Sequence, residues 1–165
     1  MPNALRSRHH LPMSVLARAS RGYLAFSDTV FDAFLDPEMV KRWFAPGLGE
    51  IQSIEIDPRV GGKFTFVDRR DGEDIAHVGE YLEIDRPNRL AFTWSIPQSS
   101  DDVSKVTIEI TPQSEGCDVT LVHEIAPEWA MYRKEVAQSW KKMLDALARA
   151  MDPPVVDEEE EAEEE

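Results

Sequence analysis

The chain has 165 residues, 42% of them hydrophobic, and a net charge of −14. That length suits one domain with a real core. No run approaches the roughly 20 apolar residues that cross a bilayer, and the negative charge argues against nucleic acid, whose phosphates call for a basic stripe.

In chain order, residues 1–13 read as a disordered basic start. Residues 1–22 carry Arg6, Arg8, Arg18, Arg21, His9 and His10 and no acid, a bias shared with organelle transit peptides. The simpler reading is a frayed segment ahead of the first strand. No apolar run follows these arginines, so a secretory signal is not expected. His9 and His10 lack the carboxylate or cysteine company of a metal site.

A first strand falls within 14–25, with Gly22 weakening it or marking a bulge. Two short helices follow. Ser27 can cap the first, whose Val30, Phe31, Phe34 and Leu35 share a face. Asp36-Pro37-Glu38 starts the second: a carboxylate for the unpaired N–H groups, a ring with the right φ, and an acid near the positive end of the dipole. Its apolar face is Met39, Val40, Trp43 and Phe44, and Pro46-Gly47 ends it.

Residues 50–125 read as strands. The segment 50–57 alternates imperfectly, and Asp57 to Gly62 turns on two glycines able to take positive φ, with Asp57 and Arg59 poised to pair across the turn. Phe64 and Phe66 share a strand face. Asp68 to Asp74 (DRRDGED) reads as a solvated hairpin around Asp71-Gly72, its carboxylates Asp68, Asp71, Glu73 and Asp74 lacking metal-loop spacing. In the returning strand, 75–84, His77, Tyr81 and Glu83 share a face. Next come Leu90, Phe92, Trp94 and Ile96, then Val106, Ile108 and Ile110, then Val119, Leu121, His123 and Ile125, each set on one face of its strand. Short loops make these strands antiparallel neighbours.

Pro127 opens a long helix, Glu128 to Met151, with a stripe of Trp129, Tyr132 or Arg133, Val136, Trp140, Met143, Leu144, Leu147 and Met151. Pro153-Pro154 stops it. Residues 157–165 hold eight acids and no base, a self-repelling run with nothing to bury. The organisation is thus a folded domain over 14–152 and a disordered acidic tail over 153–165, a solubilising end or a docking tail for a basic partner. Cys117, the one cysteine, cannot close an internal disulfide and fits a reducing, cytoplasmic compartment. Strands grouped apart from helices indicate an α+β fold: an antiparallel sheet of about six or seven strands, two short helices after the first strand, and a long C-terminal helix on one face.

Taken together, Val30-Phe31-Asp32-Ala33-Phe34, Asp36-Pro37-Glu38 leading to Trp43-Phe44, Asp57 to Gly62, Gly79 to Ile84 with Pro87, Arg89 to Trp94, Thr120 to His123, and Trp140 with Leu144 and Leu147 resemble the helix-grip (START-like, SRPBCC) superfamily. Within it they look most like the domain homologous to the C-terminal half of the activator of the Hsp90 ATPase. Ser139 departs from the glycine usual before the tryptophan. The resemblance implies a curved sheet wrapped around the C-terminal helix with a cavity between them, used in relatives for lipids, sterols, polyketides or hormones.

The candidate ligand-binding residues are Trp43, Phe64, Phe66, Tyr81, Phe92, Trp94, His123, Trp140 and Leu144. Aromatic walls with a few polar tips suit an apolar ligand; the alternative is that these side chains simply pack on one another. His123, at an apolar position, serves a ligand, acts as acid or base near neutral pH, or is a satisfied core histidine. No nucleophile elbow, phosphate loop or dinucleotide fingerprint is present, and Cys117 has no activating base, so no catalytic residue, metal or cofactor is assigned. Three functions stay open: a module binding a small hydrophobic or aromatic ligand, a chaperone-associated stress module resembling the Hsp90 activator, and a cyclase- or hydrolase-like enzyme on polyketide-type substrates, the last less favoured. The partners are accordingly a small apolar ligand, a chaperone, or a second copy of the chain.

Overall fold

The computed structural model describes residues 14–151; the expectations for the two termini fall outside the described residues. Seven strands form one antiparallel sheet: β1 (Val15–Tyr23), β2 (Glu50–Ile56), β3 (Lys63–Arg70), β4 (Glu73–Asp85), β5 (Arg89–Trp94), β6 (Ser104–Gln113) and β7 (Gly116–Ile125). Their order across the sheet is β1-β7-β6-β5-β4-β3-β2, so the chain runs as a meander from β2 to β7, and β1 joins its far edge. Helices α1 (Ser27–Leu35) and α2 (Pro37–Trp43) follow β1, and α3 (Arg133–Met151) closes the described chain. This is the curved α+β helix-grip architecture.

Alternation places the core. Ala17, Ala19 and Tyr23 of β1 point inward with Phe64 and Phe66, Leu90, Phe92 and Trp94, Val106, Ile108 and Ile110, and Val119 and Leu121. Against them lie Val30, Phe31 and Phe34 of α1, Val40 and Trp43 of α2, and Trp140, Met143, Leu144 and Leu147 of α3. The helix α3 is tied to β1 by polar contacts as well: the Tyr23 hydroxyl donates to the Leu144 carbonyl at 2.7 Å, and Arg21 pairs with Asp145 at 2.6 Å.

Several local expectations are revised. Gly22 sits in unbroken register opposite Asp118, with no bulge. Ser27 is inside α1; Phe26 holds the N-cap position and no side chain caps the helix. Asp36 does cap α2, accepting from the Glu38 N–H at 3.0 Å. The bulges lie elsewhere. One between Ile51 and Ser53 shifts the parity of β2, so that Ile51, Ile54 and Ile56 all pack on the core. A second, between Tyr81 and Glu83, leaves Tyr81 in the core but turns Glu83 away, where it pairs with Arg89 at 2.9 Å; it does not share a face with His77 and Tyr81. In the 57–62 turn only Gly61 takes positive φ (87°), and Arg59 pairs with Asp57 at 3.0 Å.

The C-terminal helix is shorter than its apolar stripe. Pro127–Tyr132 forms a 3-10 turn, and the α-helix begins at Arg133. Trp129 and Tyr132 are partly to largely exposed and stack on each other with ring centres 5.9 Å apart. Their spacing matches the stripe, but they belong to the rim of a groove and not to the helix core.

Candidate functional site

Behind the site stands a solid aromatic block. Phe64 meets Phe66, Tyr81 and Phe92 with ring centres 4.8, 5.4 and 5.4 Å apart, and Trp43 bridges Phe34 and Phe66 at 5.6 and 6.4 Å. The Trp43 indole donates to the Ala33 carbonyl at 3.0 Å. Gly79 makes this packing possible: a Cβ there would stand 2.3 Å from the Phe64 ring and 2.0 Å from the Thr93 carbonyl. Of the nine candidate residues, Trp43, Phe64, Phe66, Tyr81, Phe92 and Leu144 are in this packed interior. The burial of Tyr81 pushes its phenol well above its ordinary range.

Trp94, His123 and Trp140 stand at the edge of the block and line an open groove of about 1560 Å³. The groove lies between the ends of β5, β6 and β7, the first half of α3, and the segment following α2. Its floor is apolar: Phe44, Trp94, Trp140 and Met143, with Leu48 and Val136 at the sides. Ser139, just before Trp140, also lines it. Across the mouth, the Trp129 indole N–H donates to the Asp102 carboxylate, joining the 3-10 turn to the β5–β6 loop.

The polar groups on the floor form a directed chain. The Trp140 Nε1–H donates to His123 Nδ1 at 3.0 Å. Indole can only donate, so Nδ1 must hold its lone pair and the neutral imidazole must carry its proton on Nε2. That Nε2–H faces the Ser104 hydroxyl oxygen at 2.7 Å, and the Ser104 hydroxyl donates onward to the Trp94 carbonyl at 3.0 Å. Burial disfavours the imidazolium and lowers the His123 pKa to about 4. A serine beside a histidine suggests nucleophile activation, but here the direction is reversed. The imidazole donates to the hydroxyl and has no free lone pair to take its proton, so the chain serves as a rigid strut and not as a base.

A second cluster went unrecognised in the sequence. Asp68 is fully buried, not part of a solvated turn. Its Oδ2 accepts from Arg70 Nε at 2.6 Å, and His77 Nδ1 lies 3.7 Å from Oδ1. His77 is buried between Phe44 and Trp94, with ring centres 4.8 and 5.5 Å away, and its nitrogen is 3.3 Å from the Phe66 carbonyl. Desolvation lowers the His77 pKa, outweighing the Phe66 carbonyl and Asp68, which raise it. Arg70 and His77 both line the groove. The signal was available: Phe64, Phe66, Asp68 and Arg70 are successive inward positions of one strand. The charged composition of the hairpin masked it. The turn itself is the tight pair Asp71-Gly72, both with positive φ (53° and 80°).

Cys117 is buried, which pushes its thiol pKa up and away from reactivity. Among the described residues, no three His, Cys, Asp or Glu side chains gather as a metal site would require, and no helix is long and apolar enough to cross a membrane.

Comparison with known proteins places the fold. A family model described as Activator of Hsp90 ATPase homolog 1-like protein matches residues 25–152. Protein CV1439 from Chromobacterium violaceum is 28% identical, with a TM-score of 0.71 over 87% of this chain and 99% of that one. Protein NE0264 from Nitrosomonas europaea shares the fold at 22% identity, with a TM-score of 0.73 over 83% of this chain and 94% of that one. Protein Mll3558 from Rhizobium loti does so at 24%, with a TM-score of 0.69 over 84% and 97%. No curated protein matches the chain.

Proposed function

The chain belongs to the activator of Hsp90 ATPase homolog 1-like family, and from that footing we propose that it binds a small hydrophobic or aromatic molecule in the groove between the sheet and α3. The observation that carries this reading is the open groove of about 1560 Å³ with an aromatic floor, set against a block of packed aromatic side chains. The packed block makes the floor rigid, so little ordering is needed on binding. Trp94, Trp140 and Phe44 supply the contact surface, while the Trp140–His123–Ser104 chain holds the first two in place. Trp43, Phe64, Phe66, Tyr81, Phe92 and Leu144 act from behind as the support of that surface. Because the imidazole is committed on both nitrogens, the site favours binding over acid–base turnover. The uncharged dye N-phenyl-1-naphthylamine should brighten on binding to the protein and be weakened severalfold by Trp94→Ala; no fluorescence change at saturating protein would count against the reading.

The family's description favours a second reading, a module that contacts a chaperone ATPase. An Hsp90 turnover assay with added protein tests it: a rise in ATP hydrolysis is expected on this reading, and unchanged turnover together with no co-sedimentation removes it.

A further inference from the structure

Arg70 is the unusual group on the groove wall. A carboxylate as deeply buried as Asp68 is costly unless paired, and its close partner is Arg70 Nε at 2.6 Å. That contact fixes the plane of the guanidinium. Arg70 Nη2 lies 3.5 Å from the second carboxylate oxygen, and Nη1 makes no hydrogen bond among the described residues. The Arg70 side chain is about a third exposed, and Arg70 lines the groove. So one edge of the guanidinium is anchored on Asp68 while Nη1 is left unbonded at a residue that lines the groove, a few residues along β3 from the aromatic block. A pre-oriented guanidinium edge matches a planar, singly charged oxyanion.

The other charges on the groove narrow the choice. Lys105 stands directly opposite Glu124 in the β6–β7 register. Asp101, Asp102 and Glu128 also line the mouth. These acids would repel a second negative charge, and Asp68 already offsets much of the charge of Arg70. The surroundings therefore suit a single anionic head with an apolar remainder better than a dianion.

We propose that the groove takes an amphipathic carboxylic acid, its carboxylate on the free edge of Arg70 and its apolar body on Phe44, Trp94 and Trp140. This rests on the groove being a ligand site, and Asp68 is then a positioning residue that aims the guanidinium without touching the ligand. Displacement of N-phenyl-1-naphthylamine by dodecanoic acid and by 1-dodecanol at pH 7.5 separates the two claims. The wild-type protein should prefer the acid by roughly tenfold to a hundredfold. Arg70→Gln should abolish that preference and leave dodecanol unchanged. Since Arg70→Gln strands a buried carboxylate, the double variant Asp68→Asn with Arg70→Gln is measured alongside, with dodecanol binding as the check that the groove is formed. Equal displacement by acid and alcohol in the wild type, or a preference that survives in the double variant, overturns the assignment of Arg70 while the groove reading stands. Failure of both compounds and of the dye overturns both.

Discussion

At the scale of single residues, the groove depends on donors and acceptors that must all agree. Trp140 is the clearest case. Its ring covers Trp94, with centres 5.1 Å apart, and its N–H selects the tautomer of His123. Trp140→Phe keeps an aromatic ring but removes the donor. His123 Nδ1 is then a buried acceptor without a partner, which together with the smaller ring should cost about 2 kcal/mol in urea unfolding. The same change frees a lone pair for protonation, so an NMR titration should find the His123 pKa moved up. A purely steric role for Trp140 would lower stability without moving that titration. Candidate residues of this kind were legible because alternation along β5 and β7 and the three-and-four spacing of α3 all point to one interior. What alternation could not show is which inward residues end in the block and which at its edge, since Phe92 and Trp94 lie two positions apart on the same face. Arg70 is hidden for a different reason: the charged run 68–74 has the composition of a turn, although β3 continues to Arg70.

At the scale of elements, strands and short helices followed closely from pattern, and the misreadings cluster where one residue is inserted or a helix changes pitch. A bulge flips the parity of everything beyond it, so Ile51 and Ile54 reach the same core from odd and even positions, and Glu83 is lost to the outer face. Such insertions leave no compositional mark. The start of α3 is masked in the sequence because Trp129 and Tyr132 keep helical spacing while lying in a 3-10 turn, where three residues complete a turn. Their exposure has a use in the geometry. Trp129 reaches Asp102 and so couples the entrance of α3 to the β5–β6 loop across the groove.

At the scale of the whole molecule, the buried histidines His77 and His123 make stability depend on pH. The folded-state pKa of His123 is about 4 and that of His77 is also lowered, whereas in the unfolded chain an imidazole titrates near its ordinary 6.5. Above that value both states are neutral and the histidines contribute no pH dependence. As pH falls below it, the unfolded chain takes up protons that the folded one refuses, and stability is lost down to the folded pKa. For His123 the full effect is about 3 kcal/mol. The urea midpoint should therefore decline between pH 6.5 and pH 4, and His123→Gln, which does not titrate, should flatten much of that decline.

The place of β1 in the sheet has a kinetic consequence. It pairs along its whole length with β7, from Val15 opposite Ile125 to Tyr23 opposite Cys117, while β2 occupies the other edge. Among the described residues the earliest strand thus pairs with the latest one, and its Tyr23 hydroxyl waits for the backbone of α3. Long-range closure of this kind carries a loop-entropy cost before any contact rewards it, and it raises contact order. The meander from β2 to β7 can assemble from neighbours during synthesis, but β1 must wait on the ribosome until about a hundred further residues have emerged. Completion of the groove, one wall of which is α3, likewise waits for residues that follow the meander.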